Sequence, residues 1–291
     1  MIITIDPGAG PCFGVQNAID KAEEVLKENT PLVCMGDLIH NEAEISRLSE
    51  LGMQTFSINE VLDQKPQTVL FRAHGEPPES YEQMMSLNIN ILDATCPIVL
   101  NLQKKIKETH QLLKNSPGQI VIYGNRSHAE VISLLGNCKN SAIIIENIED
   151  VDKLDLSKPI YLFSQTTKYR STYLKIRDEI LKRMVSEKID STQFHFFESS
   201  CKMVARRDVQ LQDFIKDKDL LIFVSGSKSS NGHQLYQICQ ASGIESHFIS
   251  HAEEVKAEWF PQKKNIGISG ATSTPKWLLE EVEQQILKAV K

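Results

Sequence analysis

The 291-residue sequence has no Cys-x-x-Cys pair, no Gly-Lys-Ser/Thr tripeptide and no apolar run that approaches a membrane span. These absences exclude a zinc ribbon or thioredoxin-type motif, a Walker A phosphate loop and a spanning helix. Positive charge is in deficit, with 32 Lys and Arg against 38 Asp and Glu and a formal net charge of −6. A nucleic-acid partner is therefore not expected. Any anion site has to be built from selected donors, since the chain offers no general positive field. The opening stretch, MIITIDPGAG, lacks the basic region and long apolar core of a secretory leader. A cytoplasmic location without a membrane partner is expected, and thiols there stay reduced.

What is present is an ordinary globular composition, 41% hydrophobic and 24% charged, in a chain long enough for two or three cores. Short apolar runs rich in Ile, Val and Phe recur throughout, among them IITI (2–5), PLVCMG (31–36), TVLFRA (68–73), QIVIYG (119–124), DLLIFVS (219–225) and NIGISG (265–270). Between them lie amphipathic stretches, such as the one carrying Val15, Ala18, Ile19, Ala22, Val25 and Leu26 at helical spacing. This alternation predicts an α/β protein with mainly parallel sheets covered on both faces.

Three times a strand-like run leads into a cysteine and then a helix: IITIDPGAGPC, INILDATC and QFHFFESSC. The cysteines, Cys12, Cys96 and Cys201, lie 84 and 105 residues apart. That repeat suggests three small α/β domains, 1–97, 98–197 and 198–291, with the C-terminal helix packing back on the first. Ligands of such sheets bind at the carboxyl ends of strands, and a helix N-terminus there stabilises a thiolate. If the three units face one centre, three thiolates meet and call for a soft metal. A four-cysteine cluster is the common ferredoxin arrangement, so three ligands would leave one iron open. A three-thiolate zinc site fits the same pattern. Cys34, Cys138 and Cys239 read as small apolar filling.

Other polar residues gather at strand ends. His40 closes GDLIH, His74 lies in FRAHG, and His128 lies in GNRSHAEV with Glu130 two residues on. SQTT (164–167) follows a strand-like run, as do GSKSSNG (226–232) and GATSTP (270–275). The last two have the small residues and hydroxyls of an anion cradle ahead of a helix, although Ser, Thr and Asn are also ordinary helix caps. Three His and two Ser-rich loops could surround one diphosphate, with Glu130 as a candidate proton donor.

The combination PCFGVQNAI, GDLIHNEAEISRLSELG, FRAHGEPP, DATCP, SHAEV, SQTT, GSKSSN and GATSTPKWLLEEV resembles the 4-hydroxy-3-methylbut-2-enyl diphosphate reductases, the IspH/LytB family, over nearly the whole chain. The resemblance implies three α/β domains in a pseudo-threefold arrangement around a central cavity. Within it, Cys12, Cys96 and Cys201 would hold a 4Fe–4S cluster whose fourth iron takes the substrate hydroxyl. It further implies that His40, His74, His128, Ser229, Ser230, Asn231 and Ser273 bind the diphosphate. Glu130 and Thr166 would relay protons beside His128, and ferredoxin or flavodoxin would supply two electrons. The products would be isopentenyl and dimethylallyl diphosphate, the last step of the non-mevalonate pathway. The sequence also departs from the family. Where many members read C-x-A-T-x-x-R-Q, this chain has CKMVARRD, with Val204 and Asp208 at the altered positions and Arg207 kept. GATSTP carries one residue more than the common form, so the choice of Ser273 over Thr272 depends on alignment.

Overall fold

The computed structural model describes residues 1–28 and 30–290. Strand and helix alternate: β1 (Ile2–Ile5), α1 (Phe13–Lys27), β2 (Leu32–Met35), α2 (Glu42–Glu50), β3 (Met53–Phe56), α3 (Ile58–Gln64), β4 (Thr68–Phe71), α4 (Pro78–Ser86), β5 (Asn90–Asp93) and α5 (Pro97–Leu112). They continue with β6 (Gln119–Tyr123), α6 (Ala129–Gly136), β7 (Ile143–Ile145), β8 (Ile160–Ser164), α7 (Arg170–Ser186), β9 (Phe194–Phe196), α8 (Lys202–Ile215), β10 (Leu220–Val224), α9 (Ser230–Ala241), β11 (Ser246–Ile249), β12 (Asn265–Gly270) and α10 (Lys276–Ala289). The expected α/β class with parallel sheets holds, and the strands form three four-stranded sheets. Among the described residues, no helix is long and apolar enough to cross a membrane.

The chain divides into two compact units, one of residues 1–59 with 202–291 and one of residues 60–201. The first holds the parallel sheet β1-β12-β10-β11 and the parallel pair β2–β3. The second holds the parallel sheet β7-β6-β8-β9 and the parallel pair β4–β5.

The strand sequences explain why these sheets are buried on both sides. In β10, Leu220, Ile222 and Val224 join the core with Leu278, Leu279, Val282 and Ile286 of α10. The alternate residues, Leu221 and Phe223, join Leu211 and Ile215 of α8 and Leu235 and Cys239 of α9. A period of two thus feeds two separate cores. β6 does the same in the second unit, with Val121 and Tyr123 in one core and Ile120 and Ile122 in another. The amphipathic stretch expected near the N-terminus is α1, which buries Ala18, Ile19, Ala22 and Leu26. Helix α10 is fixed to α2 as well, where Trp277 Nε1 donates to Glu44 Oε2 at 2.6 Å.

Candidate functional site

In the second unit, Cys96 is the N-cap of α5 and follows β5 by three residues. Pro97 at the first helical position supplies a preset φ and no wasted donor. The Cys96 N–H bonds Ala73 O at 3.0 Å, which ties the cysteine to the turn carrying His74. Burial pushes the Cys96 thiol above its ordinary range, and nearby Cys201 and Glu130 add to that rise. The N–H groups of Ile98 and Val99, in the first turn of α5, act in the opposite direction. Cys201 sits one residue ahead of α8, and its N–H bonds Thr166 O at 2.9 Å.

His128 caps α6, with its Nδ1 accepting from the Glu130 N–H at 3.1 Å. Accepting at Nδ1 assigns the neutral ring's proton to Nε2. His74 meets His128 edge-to-face, with ring centroids 5.4 Å apart. Glu130 is 1% exposed. Its Oε1 accepts from Thr166 N–H and its Oε2 from Thr166 Oγ1, each at 2.7 Å. Burial raises this carboxyl to about 7, against the two Thr166 donors that favour its charged form. Gln165, which the sequence did not single out, braces the same loops. It accepts from Asn125 N–H at 3.0 Å and donates to Thr167 Oγ1 at 2.8 Å.

In the first unit, Cys12 is the N-cap of α1 and its N–H bonds Thr272 O at 2.9 Å. Ser229 caps α9, accepting from Gly232 N–H at 3.0 Å. Ser230 and Asn231 are the first residues of that helix, at the end where backbone N–H groups lack intrahelical acceptors. Ser229 Oγ lies 3.3 Å from Ser273 Oγ, and Ser273 Oγ donates to His40 O at 3.2 Å. The residues of the two Ser-rich loops and the backbone of His40 therefore come together. Thr272 is committed elsewhere, since its N–H and Oγ1 both donate to Asn231 Oδ1, at 3.0 and 2.9 Å. Asn231 Nδ2 is buried with no acceptor among the described residues.

A latch that sequence reasoning missed fixes the glycine end of this loop. Ser227 donates from its N–H, at 3.1 Å, and from its hydroxyl to the Glu42 carboxylate. Lys228 pairs with Asp37 at 3.0 Å. Gly226 is required here, because a Cβ would fall 2.8 Å from Asn41 Cα. No local signal in the sequence marks Glu42 as the partner of a loop 185 residues away.

Cys34, Cys138 and Cys239 are buried thiols, whereas Cys12, Cys96 and Cys201 are partly accessible. Of the two altered positions, Val204 is buried in α8. Asp208 is partly buried, and burial raises its carboxyl to about 6 against the opposing charge of Arg207.

The chain is similar to known proteins over nearly its whole length. The family model described as LytB protein matches residues 3–287. A 4-hydroxy-3-methylbut-2-enyl diphosphate reductase of Bacteroides fragilis is 44% identical over 289 residues, covering 99% of this chain and 98% of its own. One from Porphyromonas gingivalis is 43% identical over 286 residues, covering 98% of each chain. A solved (E)-4-hydroxy-3-methyl-but-2-enyl diphosphate reductase, the terminal enzyme of the non-mevalonate pathway, superposes with a TM-score of 0.70. It is 30% identical, with 99% of this chain and 100% of that chain covered. The Plasmodium falciparum enzyme shares the fold, with a TM-score of 0.84 at 24% identity and coverage of 97% and 87%. The chain belongs to the LytB family.

Proposed function

We infer that this chain reductively removes the hydroxyl of (E)-4-hydroxy-3-methylbut-2-enyl diphosphate, yielding isopentenyl and dimethylallyl diphosphate as the last step of the non-mevalonate pathway. The relatives named for that reaction, similar over nearly the full chain, support the assignment. Among the side chains, Glu130 carries it: a buried carboxyl raised to about 7 is half protonated near neutrality and suits proton donation to a leaving hydroxyl.

The donor set fits an iron–sulfur cluster. Cys12, Cys96 and Cys201 are the proposed ligands of one 4Fe–4S cluster, each a partly accessible thiol at or beside a helix start. Bound there, the cluster would pass on two electrons from an external donor, one at a time, and would offer a Lewis-acidic iron for the oxygen that leaves, with two protons, as water. A ferredoxin or flavodoxin is the proposed donor, and the cytoplasm the proposed location. The three-domain division at 97 and 197 is likewise part of this reading.

The chain's own residues then have separable tasks. Glu130 holds the proton. Thr166 orients its two oxygens, so that the proton is presented from a fixed carboxyl. His128, with its proton on Nε2, is a neutral donor to a phosphate oxygen, and His74 beside it adds a second imidazole. His40, Ser229, Ser230, Asn231 and Ser273 are proposed to take the diphosphate, with Asn231 Nδ2 as a buried donor in want of an acceptor. The first turn of α9 contributes N–H groups and the positive end of its dipole. Binding energy from the diphosphate positions the hydroxyl without itself entering the reaction.

The test is conversion of the hydroxylated diphosphate by anaerobically prepared protein with dithionite as reductant. Formation of the two isopentenyl isomers is expected. Recovery of unchanged substrate from iron-loaded protein would overturn the assignment.

A further inference from the structure

The first unit holds an ion pair with both side chains buried, six residues ahead of Cys12 at its acidic end. Asp6, just past β1, and Arg207, in α8, are 3% and 2% exposed. Arg207 Nη2 donates to Asp6 Oδ2 and to Ser269 Oγ, each at 2.5 Å. Ser269 Oγ in turn donates to Asp6 Oδ2 at 2.9 Å. The other carboxylate oxygen of Asp6 accepts from the Gly8 N–H at 2.8 Å. A single arginine nitrogen thus fixes a carboxylate that also orders the next turn of backbone.

That turn leads directly to the cysteine. Asp6 to Cys12 reads DPGAGPC, and its two prolines each fix one backbone angle. Its near end is anchored by Asp6, and its far end by the Cys12 N–H to Thr272 O bond. Between these anchors the loop rests on α8, because a Cβ on Gly8 would meet Gln210 Oε1 at 3.0 Å and Arg207 Nη1 at 3.1 Å. Gly8 leaves room for the guanidinium, and a Cβ there would require the Arg207 or Gln210 side chain to give way by a few tenths of an ångström.

A buried ion pair is weak evidence for stability, since packed apolar groups often serve as well. Its better-attested use is to specify one geometry. We propose that Arg207 is a positioning residue for Cys12: its buried pair with Asp6, shared with Ser269, holds the Asp6–Cys12 loop in the arrangement that presents the Cys12 thiol as a ligand. The proposal rests on the reading of Cys12 as a cluster ligand. It goes beyond that reading by assigning the ligand's placement to a residue 195 positions away in the chain.

The test uses the full chain with Arg207→Met, Arg207→Lys and Ser269→Ala. In metal-free protein, the rate of Cys12 alkylation by iodoacetamide is read by peptide mass spectrometry, with buried Cys34 and Cys138 as internal controls. Released from its anchor, the loop opens locally, so Arg207→Met is expected to raise the Cys12 rate roughly tenfold while both controls hold. Arg207→Lys is expected to restore part of the difference, and Ser269→Ala to raise the rate about threefold. In iron-loaded protein, loss of iron to a chelator should quicken in the same order. An unchanged Cys12 rate, or a rise shared by all three cysteines, would overturn the proposal. Should Arg207→Met not fold, an unchanged rate in Ser269→Ala overturns it alone. If the unaltered protein takes up no iron and sulfide, the ligand reading fails, while the alkylation rates still decide whether Arg207 sets the loop.

Discussion

Thr166 donates both its backbone N–H and its hydroxyl to the Glu130 carboxyl, one to each oxygen, at 2.7 Å. This pairing spans 36 residues and joins the first turn of α6 to the loop after β8. It keeps a buried carboxyl in one orientation while leaving it protonatable near neutral pH.

Glu130→Gln keeps the volume and one set of hydrogen bonds but carries no transferable proton. We expect kcat to fall by about 10²–10⁴-fold, the usual contribution of a positioned acid, with iron content unchanged. Steady-state kinetics on the dithionite-reduced protein checks this. A rate within twofold of the unaltered enzyme contradicts the proton-donor role.

The pH dependence of that acid has a defined sign. The folded carboxyl titrates at about 7, so its protonated form is lost as pH rises through 7, and kcat should fall on that alkaline side. Thr166→Val removes the hydroxyl that favours the charged form. The alkaline limb should therefore move up, by roughly one unit. A downward shift, or none, means that Thr166 does not tune Glu130.

Asp208 gives a stability prediction independent of activity. Burial raises its folded value to about 6 from 3.8. The folded chain then holds a proton that the unfolded chain has released, so stability declines as pH climbs from about 4 to about 6. Asp208→Asn escapes that decline. Its gain should be about 1 kcal/mol at pH 8, discounted for partial exposure, and should vanish at pH 4. Urea unfolding at the two pH values decides it, and a less stable variant at pH 8 refutes it.

Ser229 has two tasks, as the cap of α9 and as a proposed diphosphate donor. Ser229→Ala should cost about 1 kcal/mol of stability and weaken inorganic pyrophosphate binding roughly five- to tenfold. Calorimetric titration with pyrophosphate measures the second effect. Unaltered affinity with lowered stability would leave Ser229 as a cap alone.

Much of this was legible in the sequence because it is written locally. Apolar runs of four to six residues bounded by polar turns marked β1, β6, β10 and β12, the last three almost wholly buried. β3 was not legible. Its sequence MQTF buries only Met53 fully, so no apolar run announces it. The strand–cysteine–helix repeats likewise placed Cys12 and Cys96 at helix N-caps. The supports of the site were hidden for a different reason. Asp6 meets Arg207, Glu42 meets Ser227 and Gln165 meets Asn125 through tertiary contacts that no local pattern in either segment announces. Periodicity and capping rules see neighbours along the chain, and these pairs are neighbours only after the sheets have formed.

The most direct measurement is the iron and acid-labile sulfide content of the full-length protein isolated without oxygen, beside its Cys12→Ser, Cys96→Ser and Cys201→Ser variants. About four irons and four sulfides per chain are expected, with a brown colour that each substitution diminishes. A colourless protein that carries zinc, or a cluster retained undiminished in any of the three variants, would contradict the account.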